Sequence, residues 1–188
     1  IMKNKNFSKQ VSVVGGAGHI GLPLSCLVQN NGYEVLIVDN NTKVVNAIKK
    51  GQTPFFEKGL EKNLKNALKK GLKFSNNIEN IKFSKFVIVT IGTSSTKKSI
   101  ELFNSLLKKV LKNMNNDASL ILRSTVTEND IAKIKKNKHY INKNIKLTYC
   151  PERIAEGSAF EELGSLEQIV GADNEENYKI TQEFFLNL

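Results

Sequence analysis

The fold of this chain is decided by residues 11–21, which read Val-Ser-Val-Val-Gly-Gly-Ala-Gly-His-Ile-Gly. The first four residues form a run rich in valine that is typical of a buried strand, and glycine ends it. Residues 20–31 then place leucine and valine at helical spacing, so a helix follows the glycines directly. Strand, glycine-rich turn and helix in immediate succession predict the first unit of an α/β fold.

The same alternation of apolar strand and amphipathic helix continues along the chain. Further strands are predicted at residues 35–38, 86–91, 119–122, 146–149 and 168–171, and further helices at residues 44–50, 60–68, 100–114, 131–136 and 175–188. Continuous apolar strands that alternate with helices indicate a parallel sheet covered on both faces. Because crossovers between parallel strands are right-handed, the sequence predicts a Rossmann-type, doubly wound, mainly parallel sheet with helices on both faces.

The glycines form the motif Gly16-Ala17-Gly18-His19-Ile20-Gly21, which has the pattern G-x-G-x-x-G. In a dinucleotide-binding unit, Gly16 permits the tight turn, Gly18 lets a pyrophosphate approach the backbone, and Gly21 lets the helix pack closely on the strand. The amino end of the helix supplies N–H donors and partial positive charge to the phosphates. The alternative is a glycine-rich turn in some other α/β protein.

Asp39 ends the second predicted strand, 18 residues after Gly21. An acid at this place accepts hydrogen bonds from the adenosine ribose hydroxyls and repels a 2′-phosphate, so the cofactor predicted is NAD rather than NADP. His19 and Ile20 lie inside the glycine motif, where we expect them to line the cofactor site. A role of His19 as a base is the weaker alternative.

Three further loops carry polar residues directly after predicted strands. They are Gly92-Thr93, Arg123-Ser124-Thr125-Val126 and Cys150-Pro151-Glu152-Arg153. The carboxyl ends of parallel strands meet at one edge of the sheet, which is where open α/β sheets bind ligands. We therefore expect these loops and the glycine motif to form one site that also holds both arginines of the chain, although each loop alone could be ordinary turn chemistry.

The charge of the chain is unusual, with 28 basic against 18 acidic residues and a formal net charge of +10. Basic proteins often bind polyanions, so nucleic acid is a candidate partner. Readers of nucleic acid rely on arginine and aromatic side chains, however, and Arg123 and Arg153 are the only arginines. We predict no nucleic-acid partner, and a solvated lysine-rich surface.

Neither a metal site nor a membrane segment is predicted. Cys26 and Cys150 lie far apart, which fits neither a metal-ligand spacing nor a disulfide framework and favours a reduced, cytoplasmic protein. No segment approaches the roughly 20 apolar residues that a membrane span needs.

The chain resembles the UDP-glucose/GDP-mannose dehydrogenase family over essentially its whole length. The matching stretches are residues 12–24, Pro54-Phe55-Phe56-Glu57-Lys58-Gly59-Leu60, Gly92-Thr93, Arg123-Ser124-Thr125-Val126, and Cys150-Pro151-Glu152-Arg153-Ile154-Ala155-Glu156-Gly157 followed by Gln168-Ile169-Val170-Gly171. The resemblance is strongest to the branch that acts on UDP-N-acetylmannosamine or related UDP-N-acetylhexosamines.

This resemblance implies oxidation of the C6 hydroxyl of a UDP-sugar to a carboxylate, with two NAD⁺ and a cysteine nucleophile. It implies cofactor contacts from Lys43, Gly92, Thr93, Ser124, Thr125 and Glu152. Thr125 and Glu152 would lie beside the nicotinamide in supporting catalytic roles, Glu152 handling a water or a proton. The chain departs from the family at Ser94, at Lys58, and at Lys43, which is one position early for the basic residue near the ribose.

No segment resembles the loop that bears the family's nucleophilic cysteine, and we assign Cys26 and Cys150 to packing. Residues 1–172 are predicted to be the NAD-binding domain, and residues 173–188 the start of a helix leading to a central dimerisation region absent from this chain. The apolar residues Phe184, Phe185, Leu186 and Leu188 are expected to be exposed there. The full-length enzyme would be a homodimer, and this chain alone would be inactive.

Two other classes of function stay open. One is a non-catalytic, truncated Rossmann module that binds a nucleotide or a partner without chemistry. The other is a polyanion-binding protein, which the net charge alone suggests.

Overall fold

A computed structural model describes residues 9–94, 96–153, 157, 160, 162–163 and 167–188. Its strands are β1 (Gln10–Val14), β2 (Glu34–Val38), β3 (Lys73–Ser75), β4 (Phe86–Val89), β5 (Ser119–Leu122), β6 (Lys146–Tyr149) and β7 (Gly171–Ala172). Its helices are α1 (Gly21–Asn30), α2 (Thr42–Lys49), α3 (Leu60–Lys69), α4 (Lys97–Asn113), α5 (Glu128–Lys135), α6 (Lys138–Asn142) and α7 (Glu175–Leu186), with a 3-10 helix at Ile78–Phe83. Ser95, and Ile154, Ala155 and Glu156 of the motif that follows β6, lie outside the described residues.

The strands form one sheet in the order β3-β2-β1-β4-β5-β6-β7. Strands β1 to β6 pair in parallel, and β7 pairs antiparallel with β6. The chain therefore winds outward from β1 to β3, returns to the other side of β1 at β4, and winds outward again. This confirms the predicted doubly wound fold, and it creates a crevice between β1 and β4 where the winding reverses.

Both faces of the sheet are covered, which explains why the central strands are largely apolar. Successive side chains of a strand point to opposite faces, so Val13 and Ile88 pack with α1 and α3, whereas Val14 and Val89 pack with α4 and α5. All four are buried. Each face thus has its own apolar core, and the carboxyl edge of the sheet stays free for polar loops.

Several short or displaced elements differ from the prediction. The strand expected at residues 168–171 is only Gly171–Ala172, and β3, α6 and the 3-10 helix were not predicted. These elements have two to six residues, too few for hydrophobic periodicity to be visible. Helix α5 begins at Glu128, earlier than predicted, because Thr127 and Asp130 form a capping box at its amino end.

The expectation that the end of α7 is an exposed apolar patch is wrong for Phe184. This side chain is 1% exposed and packs against Tyr33 and Phe86, with ring centroids 5.2 and 4.7 Å away. Phe185 and Leu188 are partly buried against the same core, whereas Leu186 is 79% exposed. Helix α7 lies on β6. One of its faces therefore packs into the apolar core that also contains residues of α1 and α3.

The described helices include none that is both long enough and apolar enough to cross a membrane. The longest, α4, has 17 residues.

Candidate functional site

The predicted site residues follow β1, β2, β4, β5 and β6, and so they meet at the carboxyl edge of the sheet. The strand order places them in a row, with Asp39 first, then the glycine motif, Thr93, Thr125 and Glu152. Neighbouring strands are about 4.8 Å apart, so the row from β2 to β6 is about 19 Å long. The structure therefore assembles an elongated edge, as an extended two-part ligand requires.

The glycine motif begins with a sharp turn. Gly15 has a φ of +82°, a conformation that glycine adopts without strain, and its N–H donates to the Val38 carbonyl at 2.9 Å. A β-carbon added at Gly21 would lie 2.3 Å from the Gly15 carbonyl oxygen and 2.6 Å from the Cα atom of Gly16. Only glycine fits at Gly21, which lets α1 start directly against the turn.

The other two motif glycines have different surroundings. A β-carbon at Gly16 would lie 2.9 Å from the Val13 carbonyl oxygen and 3.0 Å from the Ile37 side chain, so this position is crowded by protein. At Gly18 the nearest atom would be the Gly15 carbonyl oxygen at 3.5 Å, and Gly18 is exposed. The open space at Gly18 lies just before α1, where a phosphate can approach the backbone.

The residues of the motif between the glycines also differ in accessibility. Ile20 is half-buried, and it directly precedes α1. His19 is exposed, and its ring stacks on the ring of Phe55 with centroids 4.0 Å apart and planes inclined by 23°. This contact joins the glycine motif to the loop before α3. Residues 54–60 of that loop are one of the stretches that resemble the dehydrogenase family.

Asp39 is tied to the glycine motif. Its Oδ2 atom accepts the N–H of Ala17 at 3.1 Å, and its Oδ1 atom accepts the N–H of Asn41 at 2.9 Å. Asn41 in turn caps α2, whose first turn carries the exposed Lys43. The carboxylate is therefore fixed beside the turn, with oxygen lone pairs left over for a ligand.

A groove with a volume of about 730 Å³ runs from Asp39 along α4. Its apolar lining includes Ile78, Ile91, Leu102 and Phe103, which suits a flat aromatic ring. No single stretch of sequence predicts this groove, because several separate segments of the chain line it. Leu102 is an apolar residue outside the apolar stripe of α4, and this position in the sequence is a local sign of the groove. In the structure its side chain is 63% exposed.

The loops after β4 and β5 are joined by a hydrogen bond. The Thr93 hydroxyl donates to the Thr125 carbonyl oxygen at 2.8 Å. Gly92 and Thr125 are exposed at the edge. Ser124 is buried, and its hydroxyl is 3.4 Å from the carbonyl oxygen of Val89. Of these predicted residues, Ser124 thus has the least access to a ligand.

Of the two arginines expected in this site, Arg123 is not accessible to a phosphate. This residue is 2% exposed, and its Nε and Nη2 atoms donate to Oε2 of Glu152, the first at 2.8 Å. Its Nη1 atom donates to Oε1 of Gln168 at 2.8 Å. Arg153 is exposed, but its Nη2 atom donates to the Glu167 carbonyl oxygen at 2.8 Å. Both guanidinium groups therefore join segments of the protein.

Glu152 is the acid predicted beside the nicotinamide. Besides the contact of Oε2 with Arg123, its Oε1 atom accepts the N–H of Arg153 at 2.9 Å. Both carboxylate oxygens thus have donors from the protein, and the side chain is 13% exposed at the edge.

The two cysteines are free and buried. Burial raises the pKa of the Cys26 thiol to about 12. Burial likewise raises the pKa of the Cys150 thiol to about 11, against a smaller opposing effect of Arg123. Because the thiolate is the nucleophilic form, neither cysteine suits covalent catalysis. Among the described residues, no group of three or more His, Cys, Asp or Glu could hold a metal ion.

The residues of this edge fit NAD, since Gly18 leaves space for a phosphate, Asp39 for a ribose and the α4 groove for an aromatic base. Curated relatives include a UDP-N-acetyl-D-mannosamine dehydrogenase of Methanococcus maripaludis, 29% identical over 97% of this chain and 43% of that protein. A UDP-glucose 6-dehydrogenase of Rickettsia felis is 28% identical over 92% of this chain and 41% of that protein. This chain spans less than half the length of both relatives.

A solved structure of a UDP-D-ManNAc dehydrogenase from Pyrococcus horikoshii has the same fold. It superposes with a TM-score of 0.86 over 95% of this chain and 44% of that chain, at 23% identity. Residues 9–188 match the model of the UDP-glucose/GDP-mannose dehydrogenase family, NAD binding domain. The chain therefore belongs to this family as its NAD-binding domain, and its cofactor is NAD.

Proposed function

We propose that this chain binds NAD for a nucleotide-sugar 6-dehydrogenase that oxidises the C6 hydroxyl of a UDP-sugar to a carboxylate. The observation that carries the proposal is the Asp39 carboxylate fixed 3.1 Å from the backbone nitrogen of Ala17, inside the glycine motif. The activities of the relatives support a UDP-sugar substrate, of the UDP-N-acetylmannosamine type. When bound, NAD⁺ supplies the hydride acceptor of such an oxidation.

The cofactor would lie along the carboxyl edge of the sheet in a single direction. Asp39 would accept hydrogen bonds from the adenosine ribose, with Lys43 nearby on α2 and the adenine in the α4 groove. Gly16, Gly18 and the amino end of α1 would hold the pyrophosphate. The nicotinamide would then reach Thr93, Thr125 and Glu152, because these follow β4, β5 and β6 in the order of the sheet.

The catalytic nucleophile and most contacts to the UDP-sugar would come from outside these 188 residues. The burial of Cys26 and Cys150 supports this view, since neither thiol is placed for nucleophilic attack. Residues 1–172 would serve as the cofactor domain, and residues 173–188 would lead to the dimerisation region of a cytoplasmic homodimer. The chain alone would bind NAD without turning over a UDP-sugar.

Calorimetric titration of the chain with NAD⁺, NADP⁺ and UDP-N-acetylmannosamine tests the proposal. We expect NAD⁺ to bind, NADP⁺ to bind more weakly because Asp39 repels its 2′-phosphate, and the UDP-sugar not to bind. Equal affinity for the two dinucleotides would contradict the assigned role of Asp39. Turnover of the UDP-sugar by the chain alone would contradict the location of the nucleophile.

A further inference from the structure

Arg123 is the one basic residue that is buried in the described part of the chain. Its guanidinium group contacts Glu152 through Nε and Nη2 and Gln168 through Nη1. Its Cζ atom also lies 5.5 Å from the ring centroid of Phe185 on α7. Three other segments of the chain therefore meet at the Arg123 side chain, and the proposed cofactor contacts do not include this side chain.

The two members of the ion pair between Arg123 and Glu152 differ in their exposure to solvent. The Arg123 side chain is 1% exposed, whereas the Glu152 side chain is 13% exposed, so the carboxylate is the outer member of the pair. A buried guanidinium group is costly unless a carboxylate compensates its charge. Because Arg123 itself is inaccessible to a ligand at this edge, it makes no direct contact with the cofactor, and its charge acts there together with the charge of Glu152.

We propose that Arg123 is a positioning residue that sets the relative affinity of this site for NAD⁺ and NADH by holding and neutralising Glu152. The inference rests on the proposed function, which places the nicotinamide beside Glu152. The nicotinamide ring carries a positive charge in NAD⁺ and none in NADH. A carboxylate without its cation would favour the charged ring, and the paired Arg123 reduces this preference.

The test measures dissociation constants for NAD⁺ and NADH at pH 8 in four proteins: the unmodified chain, Arg123→Met, Glu152→Gln and the double variant. We expect Arg123→Met to shift the ratio of the two affinities toward NAD⁺ on the order of fivefold, since a full negative charge then faces the ring. Glu152→Gln should shift the ratio toward NADH, because the guanidinium charge is left alone. The double variant removes both charges and should return close to the original ratio.

Two controls separate this role from a structural one. ADP-ribose lacks the nicotinamide, so its affinity should be the same in all four proteins. Gln168→Leu removes one partner of Arg123 but keeps the ion pair, so the ratio should not change. An unchanged ratio in both Arg123→Met and Glu152→Gln, even with weaker binding overall, would overturn the proposal.

The experiment distinguishes a failure of the proposed function from a failure of this inference. If the unmodified chain bound neither dinucleotide, both the proposed function and this inference would be wrong. If it bound both and the ratios stayed constant, only this inference would be wrong. Should Arg123→Met fail to fold, an unchanged ratio in Glu152→Gln would still overturn the inference, because the inference requires the charge of Glu152 to be felt at the nicotinamide ring.

Discussion

Asp39 and Ala17 are joined by a hydrogen bond in which the Ala17 N–H donates to Oδ2 of the carboxylate at 3.1 Å. The acid that suits the adenosine ribose thus also fixes the turn that suits the pyrophosphate. Two parts of the cofactor site are coupled through one side chain, and so a change at Asp39 affects both.

We expect Asp39→Ala to weaken NAD⁺ binding by about 10- to 100-fold, the range for losing hydrogen bonds to a charged group. The variant should also lose part of its discrimination against NADP⁺, because the repelling charge is gone. Calorimetry with both dinucleotides measures the two effects. Asp173→Ala removes an exposed acid that pairs with Lys135 and serves as the matched control; an equal loss there would show that the effect is not local.

The glycines of the motif predict two different phenotypes. In Gly21→Ala the new β-carbon would lie 2.3 Å from the Gly15 carbonyl oxygen, so the backbone must move and stability should fall by about 1–3 kcal/mol. In Gly18→Ala the β-carbon has room but occupies the space for the phosphate, so NAD⁺ affinity should fall while stability is retained. Urea denaturation and calorimetry together check this pair. An equal loss of stability in both variants would contradict the different surroundings described for Gly18 and Gly21.

Helix α7 offers a test of its packing. Phe184→Ala should lower the free energy of unfolding by about 3–5 kcal/mol, because the ring is buried between Tyr33 and Phe86. Leu186→Ala on the same helix should change it by less than about 0.5 kcal/mol, because that side chain is 79% exposed. Urea denaturation of both variants measures the difference, and equal effects would show that α7 does not pack as described.

The cysteines predict a dependence of stability on pH. Burial raises the pKa of the Cys26 thiol from its ordinary value of 9.0 to about 12. Between these values the unfolded chain loses the proton and the folded chain keeps it, so this contribution to stability is complete below about pH 9 and declines toward pH 12. At pH 8 a thiol reagent should react with the folded chain far more slowly than with the urea-unfolded chain. Comparable rates would contradict the burial of both thiols.

Part of the site is predictable from short stretches of the sequence. The glycine motif, Asp39 and the loops after β4, β5 and β6 were predicted because each is a short stretch in a fixed relation to an apolar strand. The parallel fold then brings such stretches to one edge without further information. The short elements β3 and α6 escaped prediction because a few residues carry no visible period.

The doubly wound fold and the row of loops along its edge follow from patterns of residues that are close to one another in the chain. The partners of Arg123, which are Glu152 at a separation of 29 positions and Gln168 at 45, are visible only in the folded structure. The burial of Phe184 in the core and the assembly of the α4 groove from separate segments are likewise visible only there. The physical reason is that such partners are chosen by burial and charge compensation between distant segments, which no local spacing encodes.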